Sequence, residues 1–469
     1  MKFLPLAFLL VCANASVAHA QDSDPTMQER AFAAGYVAQF TCSATFNGKK
    51  DLDAIRRDEL SNTYPVYEAL FDDVGEPVID RAKGIVSVRY SDSMPPRISA
   101  HRPQLGCVAL PIGASAGMVK ALPRVSVAAP ERGRDTPWPK GDRLPNSRPV
   151  SASQLSALDT VIGTAMSGGF NGDSSAVLVL KDGDIVGERY RDGFTKDTSQ
   201  RTWSVAKSIA ATVIGSAVQD GLIDVDDPAG LAAWARPGDP RAAITVEHLL
   251  HMSSGLNSDP AGNRTDDVYV GGGLVAQHAT AASLDVRPGT RWRYANNDTM
   301  LAMRALREAM DNDDAYRDYP FTAVLHPLGM LDTWVETDWD GDFILSSQVW
   351  TTARDLGRLG LLYLNDGVWN GERILPEGWA DYAAALAPAQ PWGDAKEPED
   401  GHRGYGAQFW RYLDYPGVPN DTYAALGNRG QFLIIVPSRD VVIVRRGYDY
   451  RGNYFDGPGF AAAVLEALE

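Results

Sequence analysis

Residues 200–221 read QRTWSVAKSIAATVIGSAVQDG, and this stretch decides how the rest of the chain is read. Ser204-Val205-Ala206-Lys207 is an S-x-x-K at the start of a predicted helix that runs to about Asp220 and stops at Gly221. Positions i and i+3 share a helix face, so the Lys207 amine is within reach of the Ser204 hydroxyl. A serine in the first turn also sits at the positive end of the helix dipole, where an oxyanion is favoured. Val205, Ile209, Val213, Ile214, Ala217 and Val218 fall on several sides of the helix. A helix of that kind is buried, and burial favours the neutral, basic form of a lysine. The four-residue pattern recurs by chance, so its surroundings carry the weight.

Downstream, Pro288 to Asn296 (PGTRWRYAN) places a Y-x-N, Tyr294 and Asn296, in a turn-rich stretch. A tyrosine serves as a second base where a cation beside its oxygen favours phenolate. The rival Y-x-N at Tyr363 and Asn365 continues a helical pattern and ends in an Asn-Asp-Gly turn, which reads as structural. A third element, Gly427-Asn428-Arg429-Gly430-Gln431, immediately precedes an apolar strand. Its glycines let backbone approach a ligand closely. On this reading the Gln431 amide pairs with that of Ser204 to hold an oxyanion, the alternative being a plain turn into the strand.

The sequence around this core divides into three parts. Residues 21–122 form a mixed segment, with Gln28 to Thr41 predicted helical and Gly84 to Tyr90 predicted as a strand. Residues 123–150 are a proline-rich linker or strap, with six prolines between Pro123 and Pro149. In residues 151–469, Leu155, Leu158, Ile162 and Ala165 mark one helix face. Ser174 to Leu180 and Ile185 to Tyr190 flank a hairpin signal, as do Gln431 to Val436 and Val441 to Arg446. Gly459 to Glu469 closes as a helix. The expected fold class is α/β (α+β): one antiparallel sheet flanked by the terminal helices, with a mostly helical region inserted between its strands.

Ordered as S-x-x-K, Y-x-N and a glycine-bounded tripeptide before a strand, these pieces resemble the serine β-lactamase and penicillin-binding-protein superfamily, in its class C-like branch. Thr352 to Tyr363 followed by Asp366-Gly367-Val368-Trp369-Asn370-Gly371, the Gly-x-x-Gly-Gln ending at Gln431, and Ile244 to Leu256 are similar to the 6-aminohexanoate-dimer hydrolase group. The resemblance covers about residues 151–469. It implies a β-lactamase/transpeptidase-like fold and a serine hydrolase working through a Ser204 acyl-enzyme, with Lys207 and Tyr294 sharing the proton transfers. Asn296, Asn428, Gly430 and Gln431 are then the substrate and oxyanion residues. The third motif of β-lactamases and D,D-peptidases usually begins with a lysine that binds the substrate carboxylate. Here that place is Asn428, which favours neutral esters or small amides, although Arg429 is adjacent.

Several alternatives stand beside this reading. Gly113-Ala114-Ser115-Ala116-Gly117 is a G-x-S-x-G, which as a nucleophile elbow needs a strand before it and a helix after it. A catalytically silent envelope protein binding peptidoglycan fragments or a partner is another, and a β-lactamase or D,D-peptidase a third. His248 and His251 have an i, i+3 spacing without a third metal ligand in view, so they read as structural and no metal or cofactor is required. Trp339, Trp350, Tyr405 and Trp410 carry no assignment, since aromatics at this density usually build core.

Composition sets the compartment and the partners. The 469-residue chain is 44% hydrophobic and 22% charged, an ordinary globular balance. Its 44 basic and 60 acidic residues give −16, and with no long basic run this excludes nucleic acid as a partner. Lys2, the apolar run Phe3 to Ala13 and the small-residue site Ala18-His19-Ala20 make residues 1–20 a signal peptide. The apolar run is shorter than the ~20 residues a span needs, so no stable membrane anchor is expected and the protein is periplasmic or secreted. Removing residues 1–20 leaves Cys42 and Cys107, an even pair that invites a disulfide in an oxidising compartment, with two buried free thiols as the alternative. Small-molecule esters or amides are the expected partners, and the oligomeric state is open.

Overall fold

The computed structural model describes residues 24–131, 133, 135–145, 148–258, 265–391 and 403–469. The expected signal peptide lies outside the described residues. The amino-terminal segment is built around helix α1 (Met27–Phe46), which opens on a capping box between Thr26 and Glu29. It runs five residues past the predicted end because Cys42, Ser43, Ala44 and Thr45 are small enough to stay buried. Strands β1 (Val78–Asp80), β2 (Ile85–Val88), β3 (Arg97–Arg102) and β4 (Gly106–Ala109) form an antiparallel sheet in sequence order. The strand predicted over 84–90 is thus shorter, beginning after Gly84, whose φ of +66° belongs to a turn. Cys42 on α1 and Cys107 on β4 form a disulfide, with Cα atoms 6.0 Å apart.

This segment is no separate bead on a linker. Ala33, Tyr36 and Phe40 belong to the same buried cluster as Val205, Ile209 and Leu356 of the following region. The buried Glu336 carboxylate accepts hydrogen bonds from Gln39 Nε2 (3.0 Å), Ser43 Oγ (2.6 Å), Asn47 Nδ2 (3.0 Å) and the Cys107 amide (3.1 Å). The proline-rich stretch is a strap. Trp138 is buried, donates from Nε1 to the Gly183 carbonyl at 2.9 Å, and lies under the Arg358 guanidinium at 4.6 Å.

Helix α2 (Ala152–Met166) leads into a seven-stranded antiparallel sheet. In chain order its strands are β5 (Ser174–Lys181), β6 (Asp184–Tyr190), β7 (Arg403–Tyr405), β8 (Trp410–Tyr412), β9 (Tyr423–Gly427), β10 (Gln431–Val436) and β11 (Val441–Gly447). The spatial order is β7-β8-β9-β10-β11-β5-β6, so β5 and β11, from opposite ends of the region, pair at its centre. Both predicted hairpins form, closed by the Lys181–Asp184 and Val436–Val441 pairs. Three further helices matter here: α3 (Val205–Gln219), α4 (Asn296–Met310) and α5 (Ala353–Leu364), all within the region between β6 and β7.

The strand period of two sorts the sheet's side chains into two cores. Val177, Val179, Ile434 and Ile443 face α2 and the carboxy-terminal helix α6 (Gly457–Ala467). Leu178, Leu180, Leu433 and Val442 face α3 and α5. Helix α5 lies close on the sheet because Gly357 and Gly360 carry no side chain. A Cβ at Gly360 would meet Val442 Cγ1 at 2.5 Å. The expected architecture, a sheet flanked by terminal helices with an inserted helical region, is the one observed. No described helix is long and apolar enough to cross a membrane.

Candidate active site

Ser204 stands immediately before α3, at the lip of a cleft of about 370 Å³. The residue before it, Trp203, has a φ of +51°, a left-handed conformation that costs energy in a bulky residue. Packing holds it there. The Arg201 guanidinium lies 3.6 Å from its ring centroid, and Tyr64 meets it edge-on at 6.1 Å.

Thirteen of the fifteen residues of α3 are buried, and Lys207 is among them. Its Nζ lies 2.7 Å from Asn296 Oδ1, 2.8 Å from the Ser346 carbonyl and 3.2 Å from Ser204 Oγ. Burial pulls its pKa down from 10.5 to about 7. A neutral amine has two hydrogens and one lone pair. The two carbonyl oxygens take the hydrogens, which leaves the lone pair for the Ser204 hydroxyl proton. Asn296, the first residue of α4, is itself fixed by donating from Nδ2 to Thr265 Oγ1 at 3.1 Å.

Tyr294 also lines the cleft, its ring centroid 4.9 Å from the Lys207 amine. The sequence suggested a phenolate favoured by a neighbouring cation. Burial instead pushes the phenol up to about 12, and side-chain hydrogen bonding to Ser204 and Trp410 opposes this only in part. Near neutral pH the amine can accordingly accept a proton and the phenol can give one.

The third motif divides. Asn428 lines the cleft, whereas Gly430 and Gln431 do not. Gln431 sits opposite Gly427 in the β9–β10 ladder, and its side chain accepts from Arg446 Nε at 2.7 Å and donates to the Gly447 carbonyl at 2.6 Å. The Gly430 carbonyl accepts from Arg445 Nη1 at 2.8 Å. The backbone that comes against the Ser204 amide is that of Gly427, next to Asn428. A Cβ at Gly427 would lie 3.2 Å from the Ser204 nitrogen and 2.3 Å from the Thr202 carbonyl oxygen. Arg429 is turned away and buried; it donates to the Asp58 carbonyl and packs its guanidinium 5.3 Å from the Tyr448 ring centroid.

Other sequence candidates fall elsewhere. Ser115 is exposed and precedes one short helical stretch, Ala116–Ala121, not the long helix an elbow needs. Tyr363 is buried, its hydroxyl 3.1 Å from Thr212 Oγ1. The His248 ring accepts from the Thr245 amide in a helix cap. Among the described residues no group of three metal-ligating side chains occurs. Sequence reasoning missed Tyr64, Tyr269 and Arg403, which also line the cleft, and left Trp410 unassigned. Only Trp203, adjacent to the S-x-x-K, had a local signal.

The family model for Beta-lactamase matches residues 158–445, from within α2 to within β11. This chain belongs to the β-lactamase family. The family is one of serine hydrolases, and the match omits α1, β1–β4 and the strap. Over 291 residues the chain is 26% identical to the 6-aminohexanoate-dimer hydrolase of Paenarthrobacter ureafaciens, a span of 58% of this chain and 72% of that one. In fold it is similar to a family VIII carboxylesterase (TM-score 0.56, 16% identity, 68% of this chain and 98% of the other). It is also similar to a penicillin-binding protein homologue from Caulobacter crescentus (TM-score 0.53, 18% identity, 68% and 97%).

Proposed function

We propose that this member of the β-lactamase family is an exported serine hydrolase that cleaves small neutral esters or amides through a Ser204 acyl-enzyme. The observation that carries the reading is the buried Lys207 amine, its Nζ 3.2 Å from Ser204 Oγ and within hydrogen-bond distance of the Asn296 and Ser346 carbonyl oxygens, which can take both hydrogens of its neutral form. Ser204 Oγ attacks the carbonyl carbon while its proton passes to Lys207 Nζ. The Ser204 amide and the backbone amide of Asn428 hold the resulting oxyanion. As the tetrahedral intermediate collapses, Tyr294 gives its proton to the leaving oxygen or nitrogen and is reprotonated from Lys207. Water, activated by the same pair, then releases the acid and restores Ser204.

The substrate class rests on the third motif: with the oxyanion amide at Asn428, the place three residues earlier is Ala425, which carries no charge. Asn428 is uncharged, and Arg429, the neighbouring cation, is held out of the cleft by Asp58 and Tyr448. Amide and ester chemistry both have support, in the printed names of the 6-aminohexanoate-dimer hydrolase and the family VIII carboxylesterase. Export is supported by the leader-like residues 1–20 and by the Cys42–Cys107 disulfide. A second reading, a carboxylate-bearing substrate such as a β-lactam, is favoured by one observation: Arg403 lines the cleft.

The test is a fluorophosphonate added to the folded protein, followed by peptide mapping. The mass shift is expected on Ser204 and absent in Ser204→Ala. A label on Ser115 would move the chemistry to that site, and no label would favour a binding protein. Turnover of a nitrophenyl ester and a chromogenic cephalosporin then separates the substrate classes. Faster cephalosporin turnover that collapses in Arg403→Ala establishes the second reading.

A further inference from the structure

The family match begins at residue 158, yet a residue almost a hundred positions earlier lines the cleft. Tyr64 belongs to the amino-terminal segment, and its ring position is set locally and from a distance. Pro65 follows it and restricts it to extended backbone, observed at φ −88° and ψ 116°. The turn before it is tied down, since the amides of Asn62 and Thr63 donate to the Glu68 carboxylate at 2.9 and 3.0 Å. The ring itself meets Tyr36 and Tyr67 edge-on, each at 6.4 Å, and Trp203 at 6.1 Å. Tyr36 is a fully buried residue of α1, so the wall reaches back to the centre of the segment.

The segment in turn is seated firmly on the family domain. Glu336 accepts four hydrogen bonds from the segment: two from α1, one from Asn47 at its end and one from the Cys107 amide of β4. Lys50 Nζ donates to the Tyr448 hydroxyl at 2.6 Å, and Arg201 lies between the Phe40 and Trp203 rings. Tyr64 is therefore a preformed part of the cleft. Five aromatic residues line the cleft: Tyr294 and Trp410, Tyr64 and Trp203, and Tyr269. Tyr294 packs on Trp410 at 5.5 Å and, as proton donor to the leaving group, places that pair beside the leaving group. Tyr64, Trp203 and Tyr269 are left to border the acyl group, and of these only Tyr64 comes from outside the family match.

We propose that Tyr64 is a specificity-determining residue, and that the segment preceding the family domain selects esters whose acyl group carries a flat apolar ring, such as an arylacetyl group. This deepens the Ser204 reading and rests on it. An aromatic acyl group stacks on or abuts the Tyr64 edge, where an acetyl group reaches nothing. Size agrees: a cleft of about 370 Å³ is in the range of small-molecule sites and admits a ligand with one aromatic ring, such as methyl phenylacetate.

The experiment follows acid release from methyl phenylacetate and methyl acetate by pH-stat, in wild type, Tyr64→Ala, Tyr64→Phe and Ser204→Ala. Tyr64→Ala is expected to lower kcat/KM for the phenylacetate by about tenfold, mainly through KM, and to leave the acetate within about twofold. Tyr64→Phe should restore the wild-type ratio, because the ring and not the hydroxyl forms the wall. Equal losses on both esters in Tyr64→Ala would mark a structural role and overturn the proposal, as would no loss on either. Hydrolysis that persists in Ser204→Ala fails the Ser204 reading instead, and a wild type that cleaves neither ester and takes no phosphonate removes both.

Discussion

Lys207 can serve as a base only because its surroundings exclude water. With its pKa drawn down to about 7, the amine is protonated below that pH and cannot take the Ser204 proton. The expected profile of kcat/KM on a neutral ester therefore falls about tenfold per pH unit below pH 7 and is level above it, measured between pH 5 and 9. A limb still rising at pH 9 would show that the lysine stays charged. Arg429 illustrates the opposite fate. Its charge lies next to the motif in sequence but is spent on the Asp58 carbonyl and the Tyr448 ring. Arg429→Ala is expected to lose about 1.5–3 kcal/mol of stability, read as a lower urea midpoint. Its ester-to-cephalosporin ratio should stay within about twofold of wild type. The S-x-x-K and the Y-x-N were legible because a short local pattern encodes them. The direction of the Arg429 side chain was not, since Asp58 and Tyr448 reach it from remote parts of the chain.

At the scale of elements, the site is a contact between the start of α3 and the end of β9. Gly427 is where the strand backbone comes against the Ser204 amide, and a methyl group there would collide with the Thr202 carbonyl. Gly427→Ala is expected to push β9 back and lower kcat by about 100-fold, with circular dichroism unchanged. Near-normal kcat would mean that β9 supplies no oxyanion donor. Both hairpins were readable from their turn residues and alternating flanks, because turn chemistry is local. The oxyanion amide that we propose is that of Asn428 and not Gln431 because the turn holds three residues, Asn428 to Gly430. Gln431 thereby falls back into the ladder opposite Gly427. Strand register, which sequence does not specify at a turn of unknown length, made the difference.

At the scale of the whole molecule, α1 and the family domain share a buried acid. Burial holds Glu336 up at about 7 against its ordinary 4.5, so the folded state binds the extra proton between those values. Its stabilising contribution is full below pH ~4.5 and is lost as pH rises through 7. Asp298 and Asp338, also raised to about 7, share its direction. Lys207, His101 and His251, which burial drives toward their neutral forms, oppose this slope. The Glu336 share is therefore read as the urea midpoint of wild type minus that of Glu336→Gln, which should fall from pH 5 to pH 8. A slope identical in the two proteins would mean that Glu336 is ionised throughout. The Cys42–Cys107 bridge ties the same segment, closing a separation of 65 residues, worth about 4 kcal/mol in the chain-entropy model. Protein beginning at Gln21 should show no free thiol under denaturation without reductant. Cys42→Ala combined with Cys107→Ala should lower the urea midpoint.

By itself the sequence determined the sheet with its inserted helical region, the S-x-x-K helix and the even cysteine pair. Periodicity, turn residues and short motifs are properties of neighbouring residues, and they survive without knowledge of the fold. Only the tertiary structure decided which side chains share the cleft. Tyr64 shares the cleft with Ser204, 140 positions away in the chain, and nothing local to SNTYPVYE marks it as part of a site. The lowered pKa of Lys207 likewise depends on what excludes water around the amine. Proximity and dielectric are set by packing between distant segments, and a linear pattern does not record them.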